Sequence, residues 1–115
     1  MITRIKAGNR MSQAVIHGNT VYMAGQVASN RSADTANQTR EILATIDGLL
    51  AEAGTDKSHV LTATIYLADM STFNEMNTVW DAWVAPGSAP ARATVGAPLA
   101  SSAYRVEIVI TAARP

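Results

Sequence analysis

The sequence predicts one α+β domain in which a mixed sheet of about six strands carries two helices on one face. Three observations support this fold class. Apolar residues alternate with polar residues in several short segments, as in half-buried strands, and recur every three or four residues in two longer segments, as in amphipathic helices. The 115 residues contain no internal repeat and no low-complexity linker. We therefore assign residues 1–115 to a single domain.

The first half of the chain predicts strands followed by a helix. Residues 2–6 form a candidate strand, and the apolar segments 13–16 and 20–27 flank His17-Gly18-Asn19, which indicates a β-hairpin. A helix is then expected between a cap at Asp34 and a stop at Gly54. Its apolar stripe consists of Ile42, Leu43, Ile46, Leu49, Leu50 and Ala53.

The second half repeats this alternation of strand and helix. Residues 60–68 predict a strand whose apolar face includes Leu61 and Ala63. Thr72 and Glu75 have capping-box spacing, and the apolar residues after them keep helical spacing until Pro86-Gly87. Residues 91–97 and 104–112 then predict two strands, and their short connection predicts an antiparallel pair.

Two helices can cover only one face of such a sheet. Each helix joins two strands through a connection long enough for a parallel crossover, which favours both helices on the same face. The opposite face is semi-polar, as is common in subunit contacts. Its residues are Thr62, Thr64, Tyr66, Val109 and Thr111. We therefore expect a homo-oligomer.

The composition narrows the function. Nine Lys and Arg balance nine Asp and Glu, which argues against nucleic acid or an anionic membrane as the partner. The absence of Cys excludes disulfides, thiol catalysis and Cys-ligated metals. His17 and His59 lack metal-ligand spacing, and no glycine-rich phosphate motif is present, so we expect no bound metal and no nucleotide cofactor. With no apolar signal or membrane segment, a cytoplasmic location is expected.

Two charged residues in the last two predicted strands are the strongest candidates for chemistry. Arg92 and Glu107 each lie between apolar neighbours, where an unpaired charge is costly. A hairpin centred between Leu99 and Ala100 would place them opposite each other on one face, about 5 Å apart at Cβ. They could form a structural salt bridge, or they could bind a small carboxylic acid and activate a water molecule.

The same region carries a resemblance to a known family. The run PARATV at 90–95, followed by YRVEI at 104–108, resembles the paired end motifs of the Rid family, also called the YjgF family. Shorter matches follow the same order along nearly the whole chain. They are GN at 18–19, AGQV at 24–27, QT at 38–39, ATIYLAD at 63–69 and MN at 76–77. The runs DAWV at 81–84 and YRVE at 104–107 are most similar to the YoaB-like branch.

The resemblance implies a chorismate-mutase-like fold and a homotrimeric barrel with three clefts between subunits. It also implies a cofactor-free deaminase that hydrolyses 2-imino acids such as 2-aminoacrylate to 2-oxo acids and ammonia. Arg92 would clamp the substrate carboxylate, and Glu107 would orient and deprotonate water. The backbone at Gly25 would contact the substrate, and Asn77 would shape the cleft. Trp80 is a candidate pocket wall.

Three positions differ from typical deaminases of the family. Met11 stands where a Tyr is usual, Ala24 replaces a Ser, and Thr94 replaces a Cys. Tyr22 and Tyr104 are candidate substitutes for the missing phenol. These differences keep a second hypothesis open, in which the protein binds a small carboxylate such as a 2-oxo acid without chemistry. A chaperone-like interaction protein is a third hypothesis, but it leaves Arg92 and Glu107 unexplained.

Overall fold

The computed structural model describes residues 1–115 and contains six strands and two α-helices. Single 3₁₀ turns precede β4 and α2. In chain order the elements are β1 (Ile2–Ile5), β2 (Ala14–His17), β3 (Thr20–Met23), α1 (Thr35–Glu52), β4 (Val60–Leu67), α2 (Phe73–Trp83), β5 (Ala91–Gly96) and β6 (Val106–Ala113). The predicted number and order of elements are confirmed.

The six strands form one mixed sheet in the order β1-β2-β3-β6-β4-β5. The first three strands form an antiparallel meander. Strand β6 lies between β3 and β4 and is antiparallel to both, so β3 and β4 run in the same direction. Strand β5 is parallel to β4. Both helices therefore belong to parallel crossovers, as predicted.

The predicted pairing of the last two strands is wrong. Strands β5 and β6 lie on opposite sides of β4 and share no hydrogen bonds. Their connection crosses the end of β4 and bonds to it on the way, through Ala97 N to Leu67 O and Ala68 N to Arg105 O. The connection is thus long enough to cross the end of β4. Because β5 and β6 lie on its two sides, β4 has hydrogen-bonded neighbours along both edges.

The helices pack on one face of the sheet, and the core lies between the two layers. Alternate residues of β4 and β6 point into this core, including Ile65 and Ile108. The opposite face carries the predicted semi-polar set, all of it at least partly exposed. Leu61 is the exception among the predicted core residues. A register irregularity between Val60 and Thr62 leaves Leu61 48% exposed.

The start of each helix is set by side-chain hydrogen bonds. Asp34 caps α1 by accepting from Asn37 N, as predicted. The predicted capping box of α2 is wrong, because Thr72 donates its hydroxyl to Asp69 O and makes no side-chain cap. Glu75 accepts from Ala36 N in the first turn of α1. It therefore ties the two helices together.

Gln38 joins α1 to two loops near the site described below. Its side chain is fully buried, and its Nε2 donates to Ala103 O and Ala33 O. Its Oε1 accepts from Arg105 N. One side chain thus satisfies backbone groups of both loops. Neither α1 nor α2 has the length and hydrophobicity that a transmembrane helix requires.

We predict that Gln38→Leu lowers the free energy of unfolding by about 2 to 4 kcal/mol, because it leaves buried loop groups without partners. Denaturant unfolding measures the change. Asn37→Leu, an exposed neighbour on the same helix, is the control and should stay within about 0.5 kcal/mol. Equal stabilities of the two variants would contradict a structural role for these hydrogen bonds.

Candidate functional site

The predicted site residues fall into two groups on opposite faces of the sheet. Arg92 pairs with Ala63 of β4, and Glu107 pairs with Tyr66 of the same strand. Positions 63 and 66 of a strand point to opposite faces, because successive side chains alternate. Arg92 therefore lies on the helix side and Glu107 on the open side. The expectation that they face each other within one chain is wrong.

Arg92 is held against one face of α2. Its Nη1 donates to Asn77 Oδ1 at 2.8 Å. Its guanidinium carbon lies 5.5 Å from the centroid of the Trp80 ring and 5.9 Å from that of Phe73. These contacts place a half-buried cation on aromatic surfaces, where the ring quadrupoles attract its positive charge.

The sequence of α2 explains this arrangement. Phe73, Asn77 and Trp80 are spaced i, i+4 and i+7, which puts them on one face of a helix. Asn77 and Trp80 were predicted members of the site. Phe73 was missed, although the same spacing could have identified it. We call Phe73, Asn77, Trp80, Arg92 and Thr94 the Arg92 cluster.

Arg92 has no anionic partner in the protomer. The two ion pairs of the chain, Lys6–Glu52 and His59–Asp56, do not involve it. Its only side-chain hydrogen bond goes to the neutral Asn77 amide. The predicted alternative of a cross-strand salt bridge with Glu107 is therefore wrong within one chain, and the guanidinium keeps donors free for an anion.

Thr94 lies two residues beyond Arg92 on the same side of β5. Its Oγ1 is the one buried side-chain polar atom without a hydrogen-bond partner. Buried hydroxyl groups are normally satisfied, so this atom is a position where a further group can bond. Because β5 forms an edge of the sheet, Arg92 and Thr94 both lie near the perimeter of the protomer.

Glu107 packs against Gly25 on the open face. A Cβ built on Gly25 would collide with Oε2 of Glu107 and would lie 2.9 Å from its Cδ. Only a glycine therefore allows this position of the carboxylate. Gln26 fixes the segment by exchanging backbone hydrogen bonds with Ile108, and its side chain donates to Gln13 Oε1 and Ala24 O.

Glu107 also lines a depression of about 310 Å³ with Tyr66 and Leu99. Tyr66 is its cross-strand neighbour, although the sequence predicted Tyr22 and Tyr104 as the candidate phenols. Tyr104 instead lies beside Arg31, whose Nη2 donates to its hydroxyl at 3.3 Å. Tyr22 pairs with Thr111, well along the strand from Glu107. We call Gly25, Tyr66 and Glu107 the Glu107 cluster.

Met11 is 47% exposed and lines a cleft of about 500 Å³ together with Gly25. Glu41 lies on the α1 side of this cleft and accepts hydrogen bonds from the backbone of Ser29 and Asn30. These bonds, that from Ser29 first, lower the pKa of the Glu41 carboxyl. The Glu41 carboxylate in this cleft is therefore already hydrogen-bonded to the backbone. Met11 and Gly25, both candidate site residues, line this one cleft.

No three His, Cys, Asp or Glu side chains lie close enough together to hold a metal ion. Neither cluster alone contains both a cation and a base. The Arg92 cluster can hold a carboxylate, and the Glu107 cluster presents a carboxylate that bonds to no other side chain in the protomer. Chemistry that uses both clusters requires a second copy of the chain.

Comparison with known proteins gives consistent matches over nearly the whole chain. A family model described as Endoribonuclease L-PSP matches residues 1–114. A RutC family protein from Haemophilus ducreyi is 51% identical over 98% of this chain and 97% of its own length. RutC family protein YoaB of Escherichia coli is 51% identical over 97% of both chains.

A solved structure agrees with these matches. A YjgF family protein from Neisseria meningitidis has a TM-score of 0.98 and 49% identity, and the alignment covers 100% of this chain and 96% of that one. The matches confirm the resemblance drawn from the motifs, including its YoaB-like branch. The chain belongs to the RutC family, also known as the YjgF or Rid family.

Proposed function

We propose that the protein is an imine deaminase that hydrolyses reactive 2-imino acids, of the 2-aminoacrylate type, to 2-oxo acids and ammonia. The observation that carries the proposal is Arg92, a half-buried cation whose only hydrogen-bond partner is a neutral amide. Such a group favours a carboxylate ligand, because a guanidinium can form two parallel hydrogen bonds with one. Family membership supports the same reading.

The active site in this proposal lies between two copies of the chain. Arg92 and Glu107 occupy opposite faces of one sheet, so an Arg92 cluster can meet a Glu107 cluster only across an interface. A contact between two different surfaces repeats around a ring until it closes. We propose a homotrimer with three such sites. The uncovered semi-polar sheet face supports the interface.

Substrate binding is assigned to the Arg92 cluster. The substrate carboxylate bonds to Arg92, and Asn77 holds the guanidinium in place. Trp80 forms an apolar wall under the guanidinium. Thr94 offers its unsatisfied hydroxyl to the substrate or to the neighbouring copy. Binding in this orientation supplies most of the catalysis, since an iminium carbon is already electrophilic.

Water activation is assigned to Glu107 of the neighbouring copy. Its carboxylate takes a proton from a water molecule as the water oxygen bonds to C2 of the iminium and the C=N π pair moves to the nitrogen. The protonated Glu107 then gives this proton to the nitrogen of the carbinolamine. The C–N bond breaks and ammonia leaves, the hydroxyl oxygen forms the C=O bond, and the hydroxyl proton passes to Glu107 and then to solvent. Gly25 gives the carboxylate its space. Met11, in the adjoining cleft, would border the substrate side chain.

A second candidate function is binding of a 2-oxo acid without hydrolysis. Met11 and Ala24 favour it, since both replace residues with hydroxyl groups in typical family deaminases. The description of the family model also names an endoribonuclease. The balance of nine basic and nine acidic residues does not favour RNA as the substrate.

We predict that Glu107→Gln lowers imine hydrolysis by roughly a hundredfold to ten-thousandfold, because the base is lost while shape is kept. The imine is generated by an amino-acid oxidase, and calorimetry follows binding of a 2-oxo acid to the same preparation, which should persist. Glu52→Gln, an exposed acid on α1, is the control. Normal hydrolysis by Glu107→Gln would overturn the mechanism, and absence of hydrolysis by the unmodified protein would favour the binding function.

We predict that inactive Arg92→Ala and inactive Glu107→Gln chains regain activity when they are mixed within trimers. In a closed ring of three copies, every trimer that contains both variants has one site of three with both residues intact. Activity of the isolated mixed trimers should therefore reach about a third of the unmodified level. Coexpression with two affinity tags isolates the mixed trimers, and sedimentation verifies three copies.

No recovery of activity in verified mixed trimers would contradict the shared site. A monomer at micromolar concentration would contradict it as well. Each variant measured alone under identical conditions is the control for residual activity.

We predict that Gly25→Ala lowers imine hydrolysis at least about tenfold, because the added Cβ displaces the Glu107 carboxylate that would activate water. Gly48→Ala on α1 is the matched control, since nothing lies within 4 Å of a Cβ there. The control should retain activity and gain up to about 1 kcal/mol of stability. Full activity of Gly25→Ala with unchanged melting temperature would show that this position of Glu107 is not required.

A further inference from the structure

A groove of about 460 Å³ lies on the outer surface between α1 and α2, away from the open face of the sheet. Its floor consists of the buried side chains of Leu43, Val79 and Trp83. Ala44 of α1 and Ala82 of α2 line its sides with small side chains. The volume falls within the range of small-molecule pockets, about 300 to 1,000 Å³.

The rim of the groove carries two cations without anionic partners. Arg40 donates to the neutral Asn37 Oδ1 at 2.9 Å, and Lys57 Nζ lies 5.6 Å from the Trp83 ring centroid. Neither takes part in an ion pair of the chain. Asp47 is the one acid of the lining, and its Oδ1 accepts the indole N–H of Trp83 at 3.0 Å. The lining therefore has a net charge of one positive unit.

We propose that this groove binds a small monocarboxylic acid with a flat apolar body. The body lies on the floor over Trp83, where burial of apolar surface drives binding. The carboxylate lies at the rim beside Lys57 and Arg40, which complement its charge. The groove volume of about 460 Å³ accommodates a body of about one ring or one branched chain.

This site is separate from the proposed active site. It uses the outer side of α2, whereas the Arg92 cluster uses the side that carries Phe73, Asn77 and Trp80. The groove lies on the helix layer, so it remains open to ligand when other copies cover the sheet. The two sites can therefore be tested independently.

The test is a calorimetric titration of the full-length protein with 3-phenylpropanoate. The Arg92→Ala variant is used, because it removes the other candidate carboxylate site. We expect one ligand for each chain. The neutral 3-phenylpropanamide and the short propanoate should both bind at least about tenfold more weakly, since one lacks the charge and the other the body.

Two variants locate the binding. Ala82→Phe fills the groove and should abolish measurable binding, and Lys57→Gln should weaken it about fivefold to tenfold. Ala82 is exposed and Lys57 is half-buried at the surface, so we expect both variants to fold, with melting temperature as the check. When Arg92 is intact, Ala82→Phe and Lys57→Gln should each hydrolyse the imine at the rate of the unmodified protein. This result separates the groove from the proposed active site.

Three results would overturn the proposal: no binding of 3-phenylpropanoate, equal binding of the amide, or binding that folded Ala82→Phe retains. Trp83 fluorescence is a second readout, because Trp80 and Trp83 are the only tryptophans of the chain. A change in fluorescence that the ligand produces with Ala82 present, and not in Ala82→Phe, would support the proposal. The same fluorescence change with either residue at position 82 would contradict it.

Discussion

The insertion of β6 between β3 and β4 is the constraint on which the rest of the molecule depends. This strand is antiparallel to both neighbours and buries alternate side chains under the helices. It separates two parallel strands that α1 connects, and it makes β4 an interior strand with β5 beyond it. It also carries Glu107 to the place where β3 has ended and Gly25 passes close by. The topology and the position of the carboxylate thus have one cause.

The same insertion divides the functional residues between the two faces of the sheet. A half-buried guanidinium on Trp80 and Phe73 is costly to desolvate, and a neutral amide offsets only part of that cost. A carboxylate supplied by a substrate would offset more, provided that it reaches the edge strand β5. In this view the binding residue and the proposed base are kept apart in the free chain, where they would otherwise neutralise each other as an ion pair. Assembly of the proposed trimer would bring them into one cleft.

Local patterns in the sequence were sufficient for the elements but not for their arrangement. The apolar stripe from Ile42 to Ala53 and the stop at Gly54 predicted α1 well, because helical periodicity is a property of neighbouring residues. The partner of β5 is not such a property. Residues 91–97 and 104–112 fit a hairpin and a connection across β4 equally well, and long-range hydrogen bonding decides between them. The exposure of Leu61 and the hydrogen bond from Ala36 N to Glu75 were not predicted for the same reason. Both depend on contacts with segments that are distant in the sequence.

Helix α2 connects the two regions that we assign to ligands. The Arg92 guanidinium lies 5.5 Å from the Trp80 ring, Trp80 lies 5.3 Å from Trp83, and Lys57 lies 5.6 Å from Trp83 on the outer side. Cation–aromatic contacts of this kind contribute about 0.5 to 1 kcal/mol each at exposed positions. A rotation of α2 would disturb all of them together with the hydrogen bond from Trp83 to Asp47. The orientation of α2 is therefore set chiefly by its two buried tryptophans, through contacts on both of its sides.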